Sequence, residues 1–412
     1  MLLELISHRS AARQEEETTV KRSTMPLGYD MHIHASIILL AVFGIVMVGS
    51  ASMGLNIGNN THLIIDVLKQ IVFVLFGFTT MIWLANHFKL KLLKHKEFLH
   101  VIFITIVSLL FCLVFDPVGG AKAWIRIPMS FAEISIQPSE FAKITTILIV
   151  AAYCGDIKQK FKSGWDMINR PVLFIAVICG IVLLLQGDFG SMAVILVIAF
   201  QCFQIPSHKQ MQAYQNFALV LFLIILCTAV YALSPYGYEI IKNITFLQEY
   251  QRNRFLSAID PFYDQYNTGF QLIKGLTSFA IGGWFGKGLG NSVNKYSQFP
   301  AANTDYILAI LVEEFGFIGF TVLLVLYGII IFQCCNYAFK CRNECARIIL
   351  VGNATYLLVH MLFNIGGVTG MIPLTGVPLL MISAGGSSTM AFMMMTGISQ
   401  AVISAYNRKE FV

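Results

Sequence analysis

Long apolar runs separated by short polar stretches repeat along the chain from residue 35 almost to the C-terminus. Runs of this length cross a hydrocarbon core of about 30 Å as α-helices. The pattern predicts ten spans, at residues 35–54, 67–86, 98–115, 139–154, 171–187, 189–204, 214–233, 305–333, 347–368 and 377–404. Two of the runs are short, so we expect tilted, kinked or partly re-entrant helices there. The predicted fold class is an all-α integral membrane protein with about ten transmembrane helices.

Three parts of the chain follow from this pattern. Residues 1–34 are a polar, charged tail, 35–405 form the membrane domain, and 406–412 are a short C-terminal tail. The tail lacks the apolar core of a cleavable signal, so we expect the first span to be an uncleaved anchor. Between helices 7 and 8 lies one long polar stretch, residues 234–304, which we predict to be an extracytoplasmic loop.

Positive charge predicts the orientation, because short loops rich in Lys and Arg stay in the cytoplasm. Basic residues follow every second span: Lys89, Lys91, Lys94 and Lys96; Lys158, Lys160, Lys162 and Arg170; Lys209; Lys340, Arg342 and Arg347; and Arg408 with Lys409. The long loop also carries basic residues, but loops of that length largely escape the rule. Both termini are therefore predicted to lie in the cytoplasm.

Composition narrows the function classes. The chain is 57% hydrophobic and 12% charged, with a mean hydropathy of +0.71, which excludes a set of soluble domains. Its net charge of +6 fits cytoplasmic loops that meet anionic lipid and gives no reason to expect nucleic acid. No phosphate-binding loop, dinucleotide fingerprint or serine nucleophile elbow is present. The nine cysteines read as buried, inert thiols rather than as disulfides or a zinc site.

Ionisable residues at membrane depth are the first candidates for chemistry, because each is costly in hydrocarbon. Pro138 suits a helix start, and Glu140 and Lys143 then lie three residues apart on one face. We expect them to form a buried ion pair. The pair either locks helices together or lines a substrate cavity. Asp188, between two spans, is either a plain turn residue or helix cap, or a functional ionisable residue.

The long loop supplies a second group of candidates. Arg252 and Arg254 precede Asp260 and Pro261. Guanidinium groups bind phosphate oxygens bidentately, so two arginines at a membrane surface suit a lipid-linked pyrophosphate. Lipid-headgroup snorkelling is the alternative. An Asp before Pro is most often a turn, and a general base is the rarer reading.

Other polar segments are less specific. Residues 282–290 are glycine-rich and include Lys287, which suits close backbone approach in a re-entrant or surface-lying segment. Lys122, Trp124 and Arg126 add cations and an aromatic anchor in residues 116–138. The small residues from Ser383 to Ser388 favour close helix packing.

Together these segments, in this order, resemble one family over residues 35–405: the SEDS family (shape, elongation, division and sporulation), which contains FtsW, RodA and SpoVE. The resemblance rests on short motifs along the chain: residues 122–125, 137–140 with Lys143, 187–190, Arg252 through Asp260 and Pro261, 269–271, 282–290, 304–305, 313–316 and 373–388.

The resemblance implies a peptidoglycan glycosyltransferase that polymerises lipid II on the outer face of the cytoplasmic membrane, in division or elongation. The family's essential loop aspartate maps onto Asp260, which would act as the base, either directly or through a bound divalent cation (Mg²⁺ or Mn²⁺). A class B penicillin-binding protein is the implied partner. The residues implied to bind substrate or steady charge on the pyrophosphate are Lys122, Arg126, Glu140, Lys143, Arg252, Arg254, Lys287, Ser387 and Ser388.

Some positions depart from the family's pattern. Ala384 and Leu380 stand where Tyr and Pro are common, and residues 299–304 replace a more charged sequence. These changes affect the lining of the donor and acceptor sites. Two other functions stay open: a lipid II flippase or other secondary transporter, and a noncatalytic division scaffold. A transporter predicts that Glu140, Lys143 and Glu313 matter more than Asp260, and a scaffold predicts that none matters.

Overall fold

The computed structural model describes residues 24–56, 60–94, 96–128, 133–155, 163–244, 249–297 and 299–410. These residues form thirteen α-helices and a two-stranded antiparallel sheet. The helices are α1 (Met31–Leu55), α2 (Asn60–His87), α3 (Glu97–Phe111), α4 (Pro138–Cys154), α5 (Gly164–Gly180), α6 (Phe189–Phe203), α7 (Gln212–Ala232), α8 (Tyr238–Asn243), α9 (Glu249–Ile259), α10 (Phe270–Gly282), α11 (Ile307–Lys340), α12 (Glu344–Thr369) and α13 (Gly386–Asn407). The strands are β1 (Ile125–Pro128) and β2 (Glu133–Ile136).

Each of the predicted spans overlaps one long helix, namely α1 to α7 and α11 to α13. Within the described ranges seven helices are long and apolar enough to cross a membrane: α1, α2, α3 continued to Val114, α5 continued to Leu185, α7 continued back to Lys209, α11 and α12. The all-α membrane class is thus confirmed, and the count of ten spans stays a prediction. Most of the N-terminal tail, and Lys158, Lys160 and Lys162, lie outside the described residues.

Short side chains and prolines set several helix starts. Asp30 caps α1 by accepting a hydrogen bond from the Ile33 N–H at 2.9 Å. Pro138 occupies the first turn of α4, where a missing N–H costs nothing. Ser163 and Asp166 form a capping box that starts α5 at Gly164, earlier than the predicted residue 171. The apolar pattern could not place this start, because the capping residues are polar.

The predicted start of the last span, in the C-terminal third, is wrong. Residues 377–385 precede α13 as irregular backbone, although their composition predicted a helix. Val377, Leu379 and Ile382 are buried, so this backbone is covered by protein, and irregular backbone at membrane depth is tolerated only where it is covered. The predicted loop, residues 234–304, contains the helices α8, α9 and α10, and its extracytoplasmic placement stays a prediction.

The helices pack as one bundle around α4, α11, α12 and α13. α13 runs along α2, α11 packs on α12 and α1, and α4 lies against α6 and α12. A Cβ at Gly44 of α1 would collide with the Met381 carbonyl, so glycine sets that close approach. α7 differs because none of its residues is buried. We call the end of the bundle with residues 249–297 the loop end, and the end with residues 24–30 and Arg408 the terminal end.

A kink in α11 joins the glycine-rich segment to the bundle. Gly316 has φ 66° and ψ −167°, which breaks the helical hydrogen bonds of the neighbouring turn. Residues 283–288 replace them: Lys287 N–H donates to the Glu313 carbonyl at 2.9 Å, and Phe317 N–H donates to the Gly283 carbonyl at 2.9 Å. A Cβ at Gly316 would collide with the Trp284 carbonyl. The predicted close backbone approach of this glycine run is confirmed.

Candidate functional site

Asp260 follows the last residue of α9 at the loop end. Its side chain is exposed, and its N–H donates to the Leu256 carbonyl at 2.9 Å. Oδ1 accepts a hydrogen bond from the Phe262 N–H at 3.1 Å, across Pro261. This is an Asx turn, as the Asp-Pro dipeptide suggests. Among the described residues the second oxygen, Oδ2, has no hydrogen-bond partner. The turn therefore orients the carboxylate and leaves one oxygen for another molecule.

The helix that carries Asp260 is held by Arg254. Its Nη1 donates to the Leu374 carbonyl at 3.1 Å, and its guanidinium carbon lies 5.7 Å from the centre of the Tyr250 ring. Arg252, on the same helix, is part-buried. A cavity of about 30 Å³, large enough for one water, lies beside Arg254, Ser257 and Leu374. Arg254, one of the predicted phosphate ligands, thus binds α9 to residues 370–385.

Asp305 lies near Arg254, just before α11. A Cβ built at Gly376 would be 3.6 Å from Arg254 Nη1 and 4.0 Å from Asp305 Oδ2, so both groups flank that glycine. Burial raises the pKa of the Asp305 carboxyl, and the positive charge of Arg254 partly offsets the rise. Sequence reasoning quoted this aspartate only as part of a motif. The closeness of Asp305 to Arg254 could not be predicted, because it depends on the folded positions of Arg254 and Gly376.

A polar seam connects α9 with the starts of α4 and α6. Tyr250 donates its hydroxyl to the Gly187 carbonyl at 2.9 Å. The next residue, Asp188, caps α6 by accepting from the Ser191 N–H at 3.0 Å, and its Oδ2 accepts from Gln137 Nε2 at 2.9 Å. The helix-cap reading of Asp188 is confirmed. The seam thus links the first turn of α9, through Gly187 and Asp188, to Gln137 at the start of α4.

Glu140 and Lys143 form the predicted buried ion pair. Lys143 Nζ is 2.7 Å from Glu140 Oε1, with side-chain exposures of 0% and 1%. The first turn of a helix also favours the negative charge of Glu140. Two residues of α12 complete the cluster: the Tyr356 hydroxyl donates to Glu140 Oε2 at 3.0 Å, and His360 Nε2 is 3.0 Å from Lys143 Nζ. Each charge thus has more than one partner, as burial requires.

The remaining sequence-predicted residues are spread over the loop end. Lys122 and Lys287 are exposed, and the Lys122 N–H donates to the Gln186 carbonyl at 2.8 Å. Arg126 Nε is 3.2 Å from Glu133 Oε1 in the β1–β2 hairpin. Ser387 accepts from the Gln137 N–H at 3.0 Å, and Ser388 donates to the Gly385 carbonyl at 2.9 Å. Within the described residues no hydrogen bond or ion pair links Asp260 to any of the candidate cations.

A second buried ion pair, Lys295 and Glu314, lies between α1 and α11. The Nζ to Oε1 distance is 2.7 Å and both side chains are 0% exposed. Ser50 of α1 accepts from Lys295 at 2.8 Å and donates to Glu314. The neighbouring Glu313 accepts from Ser292 Oγ at 2.8 Å and from the Val293 N–H at 2.7 Å. These contacts attach residues 291–297 to the bundle.

Sequence reasoning missed Tyr356, His360, Ser50 and Lys295. A histidine inside the apolar run 347–368, with a tyrosine one turn earlier, was a usable signal, because titratable residues in spans are costly. Lys295 gave no such signal, because it belongs to a polar stretch of sequence and is buried only by tertiary contacts.

The side chains at the loop end show what kind of divalent cation site they can form. In the part of the chain that the structure describes, no group of three or more His, Cys, Asp or Glu side chains could hold a metal. Asp260 offers a single carboxylate. Mg²⁺ is often held by one or two carboxylates together with substrate phosphates, so the residues fit an ion that arrives with the substrate rather than a resident one.

Sequence comparison places the chain among known proteins. A family model described as cell cycle protein, FtsW/RodA/SpoVE, matches residues 31–409. A probable peptidoglycan glycosyltransferase FtsW of Bacillus subtilis strain 168 is 31% identical over 391 residues, covering 93% of each chain. Its namesake in Lactococcus lactis strain IL1403 is 31% identical over 400 residues, covering 90% of each chain.

Solved structures share the fold. A chain described under structural coordination of polymerization and crosslinking by a peptidoglycan synthase complex superposes with a TM-score of 0.69 at 24% identity, covering 93% of this chain and 99% of that one. The rod shape determining protein RodA of Thermus thermophilus gives a TM-score of 0.63 at 21% identity, covering 92% and 98%. At these identities the likeness shows the fold alone.

Proposed function

Because the chain belongs to the FtsW/RodA/SpoVE family of cell cycle proteins, we propose that it is a peptidoglycan glycosyltransferase that polymerises lipid II. The observation that carries the chemistry is the exposed carboxylate of Asp260, oriented by one backbone N–H and with Oδ2 unpaired among the described residues. A general base needs such a carboxylate within reach of the proton it takes.

The reaction then follows from charge. An acceptor sugar hydroxyl gives its proton to Asp260 while its oxygen forms a bond to the anomeric carbon of the donor sugar. The bond from that carbon to the lipid pyrophosphate breaks, and the electron pair leaves with the pyrophosphate. Cations that steady this developing negative charge lower the barrier. Lys122, Arg126, Arg252, Arg254, Lys143 and Lys287 remain the candidates for that role.

The buried site pair, Glu140 and Lys143, supplies the best-defined cation. Among the described residues the Lys143 ammonium donates to Glu140 and His360, which leaves one of its three N–H groups. We propose that this N–H meets the substrate when the headgroup enters from the loop end. Glu140, Ser387 and Ser388 line the same region as packing and hydrogen-bonding groups. A divalent cation, Mg²⁺ or Mn²⁺, would bind with the pyrophosphate at Asp260 and add positive charge there.

Placement in the membrane is part of the proposal. Lys89, Lys91, Lys94, Arg342, Arg408 and Lys409 gather at the terminal end of the bundle, as the positive-inside rule requires of a cytoplasmic face. The loop end with Asp260 then faces outward in the bacterial cytoplasmic membrane, and both termini are cytoplasmic. Lipid II presented on the outer leaflet would reach Asp260 without crossing the bilayer again.

Purified protein in detergent, mixed with lipid II, tests this function. We expect glycan polymer on a gel, and Asp260→Asn should lower the rate by a factor on the order of 10² to 10⁴ through loss of the base. Asp264→Asn is the matched control, because among the described residues the carboxylate of this aspartate of the same loop bonds only Asn267 and Thr268. No bilayer has to be crossed in this assay, so polymer excludes a pure transporter or scaffold. Near-normal polymer from Asp260→Asn would remove the catalytic assignment.

A class B penicillin-binding protein is the proposed partner, bound helix to helix on α11. Small residues at which a partner helix could approach closely are Gly316, Gly319 and Gly328 of α11 and Gly352 of α12. A Cβ at Gly316, Gly319 or Gly352 would meet side chains or backbone of this chain, whereas Gly328 has open space beside it. Val325 and Phe332 flank Gly328 and are 54% and 67% exposed. The outward face around Gly328 is therefore the proposed contact.

Co-purification tests the contact. Gly328→Trp should abolish recovery of the transpeptidase from cells that express both proteins, because a large side chain blocks close helix approach. Gly180→Trp is the control, since Gly180 of α5 also has open space beside it. Equal recovery with both variants would place the partner elsewhere.

A further inference from the structure

His360 is a buried titratable side chain that the proposed reaction does not use. It lies on α12, one helical turn after Tyr356, and is 0% exposed. Its Nε2 is 3.0 Å from Lys143 Nζ and 3.8 Å from Glu140 Oε2. Its Nδ1 is 3.1 Å from the carbonyl oxygen of Pro378. The ring thus touches both members of the site pair on one side and the backbone before α13 on the other.

These contacts determine where the ring proton lies. The Pro378 carbonyl can only accept a hydrogen bond, so Nδ1 carries the proton and donates it. Nε2 then presents a lone pair and accepts from the Lys143 ammonium. A second proton on Nε2 would place two positive charges 3.0 Å apart in a buried site. The groups that face the ring, Glu140, Lys143 and Tyr356, are therefore compatible with a neutral imidazole in a single tautomer.

The Pro378 carbonyl, which accepts this hydrogen bond, belongs to the backbone segment that holds α9. Residues 374–378 form one short segment, and at its other end the Leu374 carbonyl accepts from Arg254 Nη1 at 3.1 Å. Asn364 fixes the middle of the segment by donating to the Val377 carbonyl at 3.1 Å. Residues 374–378 are therefore linked to the Lys143 ammonium through His360 and to α9, which precedes Asp260, through Arg254.

We infer that His360 is a positioning residue for the glycosyl transfer, an inference that rests on the proposed function. As a neutral acceptor it holds the Lys143 ammonium between Glu140 and residues 374–378. Without it the ammonium would turn wholly toward the Glu140 carboxylate, its strongest partner in a low-dielectric site. His360 therefore keeps the cation in register with the base on α9, and a displacement of about 1 Å between such groups can cost on the order of 100-fold in rate.

The test compares three replacements that differ in hydrogen bonding. His360→Gln keeps an acceptor for Lys143 and an N–H donor for Pro378. His360→Leu has a similar volume and neither group. Thr146→Val is the control for loss of a buried hydrogen bond, because Thr146 of α4 donates only to the Ala142 carbonyl, at 2.8 Å. Each protein is purified with its partner, and kcat and KM for lipid II are measured beside the melting temperature.

We expect His360→Leu to lower kcat by about 10-fold or more while KM changes by less than about 3-fold, since positioning acts in the transition state. His360→Gln should stay within about 3-fold of wild type, as should Thr146→Val. Wild-type kcat in His360→Leu would overturn the inference. An equal loss in His360→Gln would also overturn it, because that result would mean that packing matters and the two hydrogen bonds do not.

If His360→Leu folds poorly, His360→Asn takes its place, because its side chain is too short to reach both partners. In a double-mutant cycle we combine the His360 variant with Arg254→Gln. The loss in kcat of the double mutant should fall short of the product of the two single losses by at least about 5-fold, because both changes release the same segment. A strictly multiplicative result overturns the coupling. If wild-type protein makes no polymer, the proposed function fails as well; if it does and the His360 variants match it, only the positioning role fails.

Discussion

The two buried ion pairs of this protein have the same geometry and different surroundings. In the site pair, Glu140 and Lys143, and in the anchor pair, Lys295 and Glu314, nitrogen and oxygen are 2.7 Å apart, and no side chain is more than 1% exposed. Among the described residues the side-chain hydrogen bonds of the anchor pair to other residues go to Ser50, which does not titrate in the physiological range. The site pair is closed by His360 and Tyr356, and through His360 it reaches the support of Asp260.

The difference teaches that distance and burial do not identify a functional ion pair. Desolvation makes a buried pair a weak source of stability, so burial alone does not explain why a pair is present. The anchor pair joins α1, α11 and residues 291–297, which is a task of assembly. The site pair lies in the first turn of α4, beside the seam that positions α9. Its partners leave a donor of Lys143 for another molecule.

The largest expected effect comes from breaking the site pair. Glu140→Gln or Lys143→Met leaves an uncompensated buried charge, which should lower the free energy of unfolding by about 3 to 5 kcal/mol and abolish polymerisation. The double mutant should lose less stability than the sum of the singles and remain inactive. Thermal unfolding in detergent and the lipid II assay measure the two quantities. Strictly additive stability losses would argue that the two side chains do not touch.

Breaking the anchor pair should cost stability alone. Lys295→Met should lower the free energy of unfolding by about 3 to 5 kcal/mol. The triple variant Ser50→Ala, Lys295→Met, Glu314→Leu should recover near wild-type stability, because apolar packing replaces a desolvated pair. Polymerisation at a temperature where the triple variant is folded should match wild type. A stable but inactive triple variant would give the anchor pair a part in the reaction and end the contrast.

A smaller effect is expected at the kink that joins residues 283–288 to α11. Gly316→Ala should cost about 1 to 3 kcal/mol, because φ is 66° there and the added Cβ meets the Trp284 carbonyl. Gly328→Ala, on the same helix with open space around it, should be neutral or stabilising. Thermal unfolding of both variants decides, and equal melting temperatures would mean that the kink is not strained.

The smallest effect is expected at the exposed ion pair of the hairpin, Arg126 and Glu133. It shows how little stability is lost when an ion pair in contact with solvent is broken. Either Arg126→Gln or Glu133→Gln should change the free energy of unfolding by less than about 1 kcal/mol, because solvent screens the pair. If Arg126 also binds pyrophosphate, only Arg126→Gln should raise KM for lipid II, with kcat unchanged. Identical KM values for both variants would leave Arg126 as a surface residue.

Much of the fold could be predicted from the sequence because hydropathy is a local property. Each apolar run predicted a helix, and Pro138 indicated the start of α4. The failures are equally physical. Residues 377–385 are mostly apolar and are buried, but a buried segment need not be a helix. Here side-chain hydrogen bonds from Asn364 and Tyr327 to backbone carbonyls, and from a backbone N–H to Ser383, take the place of helical ones. In the same way, α8, α9 and α10 fold from a stretch whose polarity indicated only that it lies outside the hydrocarbon.

The candidate site was predicted in part. Glu140 and Lys143 are three residues apart on one helix, so their pairing is a matter of local geometry, and Asp260 was singled out by its place in a family motif. Asp305 beside Arg254, and His360 beside Lys143, could not be predicted, because each contact joins residues far apart in sequence. No spacing rule reaches across separate helices.

By itself the sequence determined that this chain belongs in a membrane and where most of its long helices lie, since both follow from the transfer free energy of single segments. Only the tertiary structure decided which side chains surround each buried charge. Lys295 belongs to a polar stretch and is nevertheless fully buried, whereas Asp260 belongs to a similar stretch and is exposed. A buried charge must find its partners in whichever helices pack around it, and packing, unlike hydropathy, is a property of the whole chain.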